Sequence, residues 1–463
     1  MSSAVVKAGK FKRMMSQALK EESVYSAAFS ALQERASAGD SSWVQRVRQN
    51  AFARFEELGF PTTNQEEWKY TNVAPIAKAK FEPVSESLEV TATLDATRLQ
   101  EFSYEEARRS QLVFVNGFYR SELSSIEALP KGVVATDIAF ALSAGLYADV
   151  LRERLARSAD FNENAFTALN TAFLASGAFL LIPKGVEIES PIHLLFISDA
   201  KQAQNLSSPR LLIVGETGSS ATVIESYVSA REGEVYFTNA VVEIVLADGA
   251  RLNHYKVQRE SAEAFHVATT QANLARNSSF NSTTITLGAR LSRHNINVSL
   301  DEEGAQCWVD GLYLVSTGQH TDTHSVIDHR QPHCTSHQLY KGILDGKSRA
   351  VFNGKVFVRP GAQQTNAMQT NKNLLLSDEA RVDTKPQLEI FADDVKCAHG
   401  ATVGQLEEEE LFYLASRGMH GDLARNLLTY GFAEEVIEKI KIESIKAQLD
   451  KAVLNRLQAR LEV

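Results

Sequence analysis

The sequence predicts a mostly β protein: a β-rich middle with the features of a parallel solenoid, set between two helical ends. Three observations carry that expectation. From about residue 181 to residue 392, short runs of Val, Ile, Thr, Tyr and Phe alternate with polar residues, and little helical spacing intervenes. The runs close on small turns such as LGARLS and DEEGAQ, while Asn-Gly and Asp-Gly turns, which tie antiparallel hairpins, are few. The amide-rich run AQQTNAMQTNKN (Ala362 to Asn373) suits stacked rungs in which Asn and Gln form ladders. A sandwich or a barrel shares the first feature, and the turn spacing is too irregular for repeat arithmetic to choose.

The elements follow in order. Up to about residue 75 the texture is helical. In DSSWVQRVRQNAFARFEELGF, Asp40 or Ser41 can cap a helix with Val44, Val47, Phe52 and Phe55 on one side. Gly59 then stops it and Pro61 follows. A second helical stretch is expected near Tyr147 to Leu180, closed by LIPKG. The chain is thus divided into a mainly helical region (1–180), a β core (181–392, its last strand running to about 400) and a C-terminal helical domain (405–463). In the last of these, EEEELFYLASRGM puts acids where the helix dipole favours them and Gly418 at the end. Phe432, Val436, Ile440 and Ile445 keep near-helical spacing, and KIKIESIKAQLDKAVLNRLQARLEV reads as a long amphipathic final helix.

Composition narrows the function classes. With 463 residues, 44% hydrophobic and 23% charged, the chain is ordinary for a globular protein with room for two or three domains. A formal net charge of -9 argues against a nucleic-acid surface. Cys307, Cys334 and Cys397 are too few for a disulfide framework, so a reducing cytoplasm is the expected compartment. The longest apolar run, Ala172 to Ile182, is too short to span a bilayer. Lys7, Lys10, Lys12 and Arg13 stand near the start without an apolar stretch, which reads as a solvated amphipathic helix in preference to a plastid-type transit peptide. Walker A, GxSxG and Rossmann patterns are absent, so nucleotide binding by this chain is not expected.

Two constellations carry candidate chemistry. In FADDVKCAHGATVG (Phe391 to Gly404), an extended strand places Asp393, Val395, Cys397 and His399 on one face. Asp394 points the other way, and Gly400 allows close approach of a backbone or ligand. Thiolate and imidazole suit zinc, iron or an iron–sulfur cluster, yet such sites want about four ligands. The set is either structural or completed from outside the strand. The second constellation is GQHTDTHSVIDHRQPHCTSHQLYKG, with His320, His324, His329, His333 and His337 beside Cys334, Asp322 and Asp328. It holds five of the chain's 11 histidines. On strands, His320 and His324 share a face, as do His333 and His337. They make either a metal centre, in a β-helix or cupin-like metalloenzyme, or a polar sheet edge.

Taken together, ADDVKCAHGATVGQ, LFYLASRG, HTDTHSVIDHRQPHCTSHQLYKGIL, RAVFNGKV, AQQTNAMQTNKNLLLS, TKPQLEIFADD and the upstream EEWKYTN resemble the SufB/SufD family of iron–sulfur cluster assembly proteins. The Cys-x-His-Gly form and the length resemble the SufD branch. The resemblance implies a right-handed parallel β-helix flanked by N-terminal and C-terminal α-helical domains. It also implies a non-catalytic scaffold that pairs with a SufB-like subunit through the β-helix and docks a SufC-like ATPase through the C-terminal domain. Iron, or a nascent cluster, would be held in passing at the subunit interface by His399 and Cys397, with SufB supplying a further thiolate. Phe412, Tyr413, Leu414, Arg417 and Gly418 would lie near the ATPase-docking surface. A homodimer through the same edge is the expectation without the partner, and a SufB-like scaffold that builds the cluster itself is the alternative within the family.

Overall fold

The computed structural model describes residues 24–36, 41–84, 96–145, 147–200 and 204–458. Asp40 and the basic residues Lys7, Lys10, Lys12 and Arg13 lie outside them. The middle of the chain winds between two sheets, contributing to each in turn. The first sheet runs through Gly177–Ile182, Arg210–Gly215, Phe237–Leu246, Phe265–Leu274, Leu291–Leu300, His320–His329, Arg349–Val358 and Arg381–Ile390. The second runs through Gln111–Val115, Ile192–Ser198, Ser220–Ser229, Arg251–Arg259, Ser279–Thr286, Gln306–Val315, Thr335–Leu344, Thr365–Leu375 and Val395–Gly404. Along both, neighbours pair in parallel, so that Leu291 meets His320 and His320 meets Arg349. This is a parallel β-solenoid, with a helical covering at each end of the chain.

The pattern follows from the residues. Strands packed on both faces need apolar side chains inward and outward. Inward, Leu180, Ile213, Val242, Ile244, Val298 and Phe352 join one continuous core between the sheets. The outward face of the first sheet, at Phe237, Phe265, Val267 and Leu291, is covered by N-terminal helical residues including Phe55, Trp68, Phe166 and Leu169. The outward face of the second, at Tyr255, Val257, Ile285, Leu312 and Ile343, is covered by Val436, Ile440, Ile445 and Leu449 from the C-terminal helices. The step between coils varies: Phe280 pairs with Cys307, whereas Arg349 pairs with Arg381. That variation is why the turns show no fixed period in the sequence.

Two expected helical stretches are resolved differently. The region near Tyr147 to Leu180 holds helices Ala148–Arg154 and Ala165–Ala172, but its end, Gly177–Ile182, is a strand of the first sheet. Its sequence, GAFLLI, is an unbroken apolar run, and such a run fits an inner strand as well as a buried helix. The C-terminal pattern divides into Glu408–Ser416, Gly421–Ile437 and Glu443–Gln458. The helix Ser42–Leu58 buries Val44, Phe52 and Phe55, and the N–H of Gly59, at φ 60°, closes it onto the Phe55 carbonyl at 2.8 Å. Ser41 occupies its N-cap position without a side-chain cap.

Candidate functional site

The last strand, Val395–Gly404, pairs on one side only, with Thr365–Leu375. Among the described residues its other edge is unpaired, as is that of Arg381–Ile390 in the first sheet, so the described solenoid ends on two open strand edges. Val395 and Cys397 turn inward and pack with Val356, Val358, Ala362 and Ala367. By alternation His399 lies on the same side, about 6.6 Å further along the strand. It is in register with Gln369, which is only 2% exposed and donates an amide hydrogen bond to Gln338 at 2.8 Å. The interior row of side chains thus ends on His399, which is exposed because no coil follows it. Around Gly400 nothing stands within 4 Å of where a Cβ would project.

Burial pushes the Cys397 thiol up, and the nearby Ala367 backbone N–H offsets this only in part. Cys397 therefore rests as a thiol, and a metal that binds it displaces its proton. Asp393 does not share the face as expected. It sits in the bend before the strand, where the N–H of neighbouring Asp394 donates to Gln363 Oε1 at 2.9 Å. Among the described residues no group of three or more His, Cys, Asp or Glu side chains is arranged to hold a metal ion. Cys397 and His399 are two donors on an open edge.

The second constellation does not converge. His320 and His324 do share the outer face of the first sheet, but both face the EEWKYTN segment. His320 Nε2 meets Thr71 Oγ1 at 2.9 Å, and His324 bridges Glu67 at 3.2 Å and Asp322 at 3.1 Å. His329 meets Ser336 Oγ at 2.8 Å. His333 and His337 do not share a strand face: His333 stands in the turn at φ 60°, 3.8 Å from Glu303, while His337 lies on the second sheet, stacked on Trp308. The first-sheet strand ends at His329, and the turn through Pro332 and His333 leads into the second-sheet strand that carries His337. Cys334 is buried at the same turn, and its thiol donates to the Glu302 carbonyl at 3.4 Å.

The helix Glu408–Ser416 has no buried residue. Phe412 is 75% exposed and Tyr413 57%, with Arg417 stacked 5.2 Å over the Tyr413 ring. Leu414 is half-buried, and Gly418 takes the left-handed conformation (φ 85°) that ends the helix. The adjoining helix adds exposed Leu423 and Leu427, which the sequence reading passed over although their i, i+4 spacing marks one face. Exposed Met368, Ile390 and Phe391 near the open edges were passed over too.

Residues 196–432 match the family model for the SUF system FeS cluster assembly SufBD core domain, and residues 19–194 match that for the SufBD protein N-terminal region. The chain belongs to the SufBD family. An iron–sulfur cluster assembly SufBD family protein of Synechocystis is 38% identical over 432 residues, spanning 91% of this chain and 94% of its own. The iron–sulfur cluster assembly protein SufD of Escherichia coli is 32% identical, spanning 87% of this chain and 90% of its own. SufD of Bacillus subtilis is 28% identical, spanning 90% and 95%. The role of this SufBD chain is in iron–sulfur cluster assembly. No described helix is long and apolar enough to cross a membrane.

Proposed function

We propose that this chain is a non-catalytic, SufD-like subunit that pairs with a SufB-like subunit through the open end of its solenoid and docks a SufC-like ATPase on its C-terminal helices. The observation that carries this reading is the unpaired edge of Val395–Gly404, which presents Cys397 and His399 as an incomplete donor pair. An exposed strand edge of ten residues is a template for strand addition, and folded proteins usually blunt or cover such edges. A facing subunit that adds its own thiolate completes the ligand set around iron or a nascent cluster, which is cargo here and not a resident group. A ligand set divided between two subunits favours transient holding, since a closed four-ligand site within one chain keeps its metal. In this reading Cys397 and His399 help admit iron as the subunits separate. The exposed Phe412 and Tyr413, with Leu423 and Leu427 beside them, supply the apolar surface for the ATPase.

The test is co-expression with SufB-like and SufC-like partners, comparing wild type with His399→Ala. The complex is expected to form in both, with iron and acid-labile sulfide reduced in the variant. Unchanged iron and sulfide in an intact complex remove His399 from the site.

A further inference from the structure

Between the EEWKYTN segment and the turns of the first sheet lies a pocket of about 280 Å³. Lys69, Tyr70 and Asn72 form one wall, and Arg290, His320 and Arg349 form the other. Phe265, Leu291 and Pro75 give it an apolar lining. None of its lining residues is an acid, in a chain whose formal net charge is -9.

The register explains the placement. Leu291, His320 and Arg349 are successive partners across three parallel strands. The N–H of His320 donates to the Arg290 carbonyl at 2.9 Å. Leu291 and Arg349 are therefore about 9.6 Å apart, two strand spacings, with His320 between them, and Arg290 stands one residue before Leu291. Lys69 approaches from the opposite wall.

What remains available for a ligand follows from the existing partners. Asp322, behind the pocket, is already committed to Arg293 at 2.8 Å and to Thr71. Arg349 holds Asp383 through Nε and Nη2, on a half-exposed surface, and leaves Nη1 to spare. Arg290 stands 3.6 Å from Glu263, both side chains more than half exposed, so that pair contributes little and yields readily. Lys69 forms no ion pair among the described residues; its ammonium lies 5.6 Å over the Tyr70 ring. Burial pushes His320 down, so it is a neutral hydrogen-bonding group near pH 7.

We propose that this pocket binds a small phosphate-bearing organic anion, with Lys69, Arg290 and Arg349 meeting its anionic oxygens. Three cations converging from two walls exceed what one carboxylate satisfies, and guanidinium forks match phosphate oxygens. The volume is near the lower end of ligand pockets, about 300–1,000 Å³, which admits a phosphate or pyrophosphate ester and excludes a dinucleotide. The inference is independent of the scaffold reading, since the pocket lies at the N-terminal segment and not at the open strand edges.

The experiment is titration calorimetry of the full chain with inorganic pyrophosphate, in wild type, Lys69→Gln, Arg349→Gln and, as control, the exposed Lys131→Gln. Saturable binding is expected in wild type and Lys131→Gln. Lys69→Gln should weaken it by about tenfold, the loss of one charge-assisted hydrogen bond. Arg349→Gln should weaken it similarly. Lys69 is exposed and its neighbour Glu66 is held mainly by Lys385, so Lys69→Gln decides the matter should Arg349→Gln fail to fold. Absence of saturable binding, or equal affinity in wild type and Lys69→Gln, overturns the site. Citrate binding as tightly as pyrophosphate overturns the phosphate assignment.

Discussion

Arg210 and Glu243 meet at 2.6 Å with neither side chain exposed. The Glu243 carboxylate also accepts the backbone N–H groups of Ala156, Arg157, Ser158 and Ala159, at 2.8 to 3.0 Å. Arg210 in turn reaches Asn170 and Thr171. One ion pair on the first sheet therefore ties down the loop before the helix Ala165–Ala172 and the helix itself.

Removing one partner of such a pair leaves a buried charge uncompensated. Glu243→Gln is expected to lower the unfolding free energy by about 3–5 kcal/mol, read by urea denaturation. Arg157, Ser158 and Ala159 donate to Oε1 and keep an acceptor if the amide oxygen takes that place, but the Ala156 N–H and Arg210 meet Oε2 and would then face an NH2 group, so the loss combines charge with broken hydrogen bonds. A change below about 1 kcal/mol would mean the Arg210 charge escapes to water.

The alternation of β-branched, aromatic and polar residues made the coils legible, and the amide run made the solenoid legible in particular. Gln369 bonds to Gln338 at 2.8 Å, and Asn373 to Asn371 at 2.7 Å, inside the stack. QLVFV at Gln111–Val115 and GAFLLI at Gly177–Ile182 were not legible as strands, because buried inner strands lose alternation. At the candidate site, the shared face of Cys397 and His399 could be read from period two. That the strand is the last one, with no neighbour to cover it, is a property of the whole stack and leaves no local mark. Likewise the five clustered histidines differ in environment because they divide among the two faces of one strand, the turn after it and the other sheet.

His324 makes the seam between the EEWKYTN segment and the first sheet pH-sensitive. Burial alone would depress its pKa, but Asp322 and Glu67 outweigh it and raise the pKa above 6.5. For Asp322, burial is likewise outweighed, by Arg293 and His324, and its carboxyl is held well below the usual range. The hydrogen bond from His324 lowers Glu67, so both acids stay charged where the imidazole titrates. A raised folded pKa means the His324 contribution is complete below the unfolded value of about 6.5 and is lost as pH rises through the folded value. The stability difference between wild type and His324→Asn should therefore shrink on raising the pH through this window. Salt should trim it as well, since the Glu67 side chain is 66% exposed. A difference that stays flat across the window would show that His324 is not charged in the seam.

Cys397 offers a direct probe of the open edge. Cys307 is fully buried, its thiol pushed up by that burial, and Cys334 is buried with its thiol hydrogen-bonded to a carbonyl. Cys397 alone is half-buried, on a strand with one free side. Iodoacetamide applied to the folded chain should therefore give a single adduct, at Cys397, by peptide mass spectrometry. The reaction should be slower than that of a free cysteine, because burial raises this thiol too and only the thiolate reacts. A SufB-like subunit docked across the edge should slow it further, and by more than the SufC-like ATPase alone, whose proposed surface is on the helix Glu408–Ser416. Labelling of Cys307 at a comparable rate would mean that the coils open on the timescale of the reaction. Labelling of Cys397 that a bound SufB-like subunit does not slow would place the subunit contact elsewhere, since a strand added along Val395–Gly404 covers the thiol it runs beside.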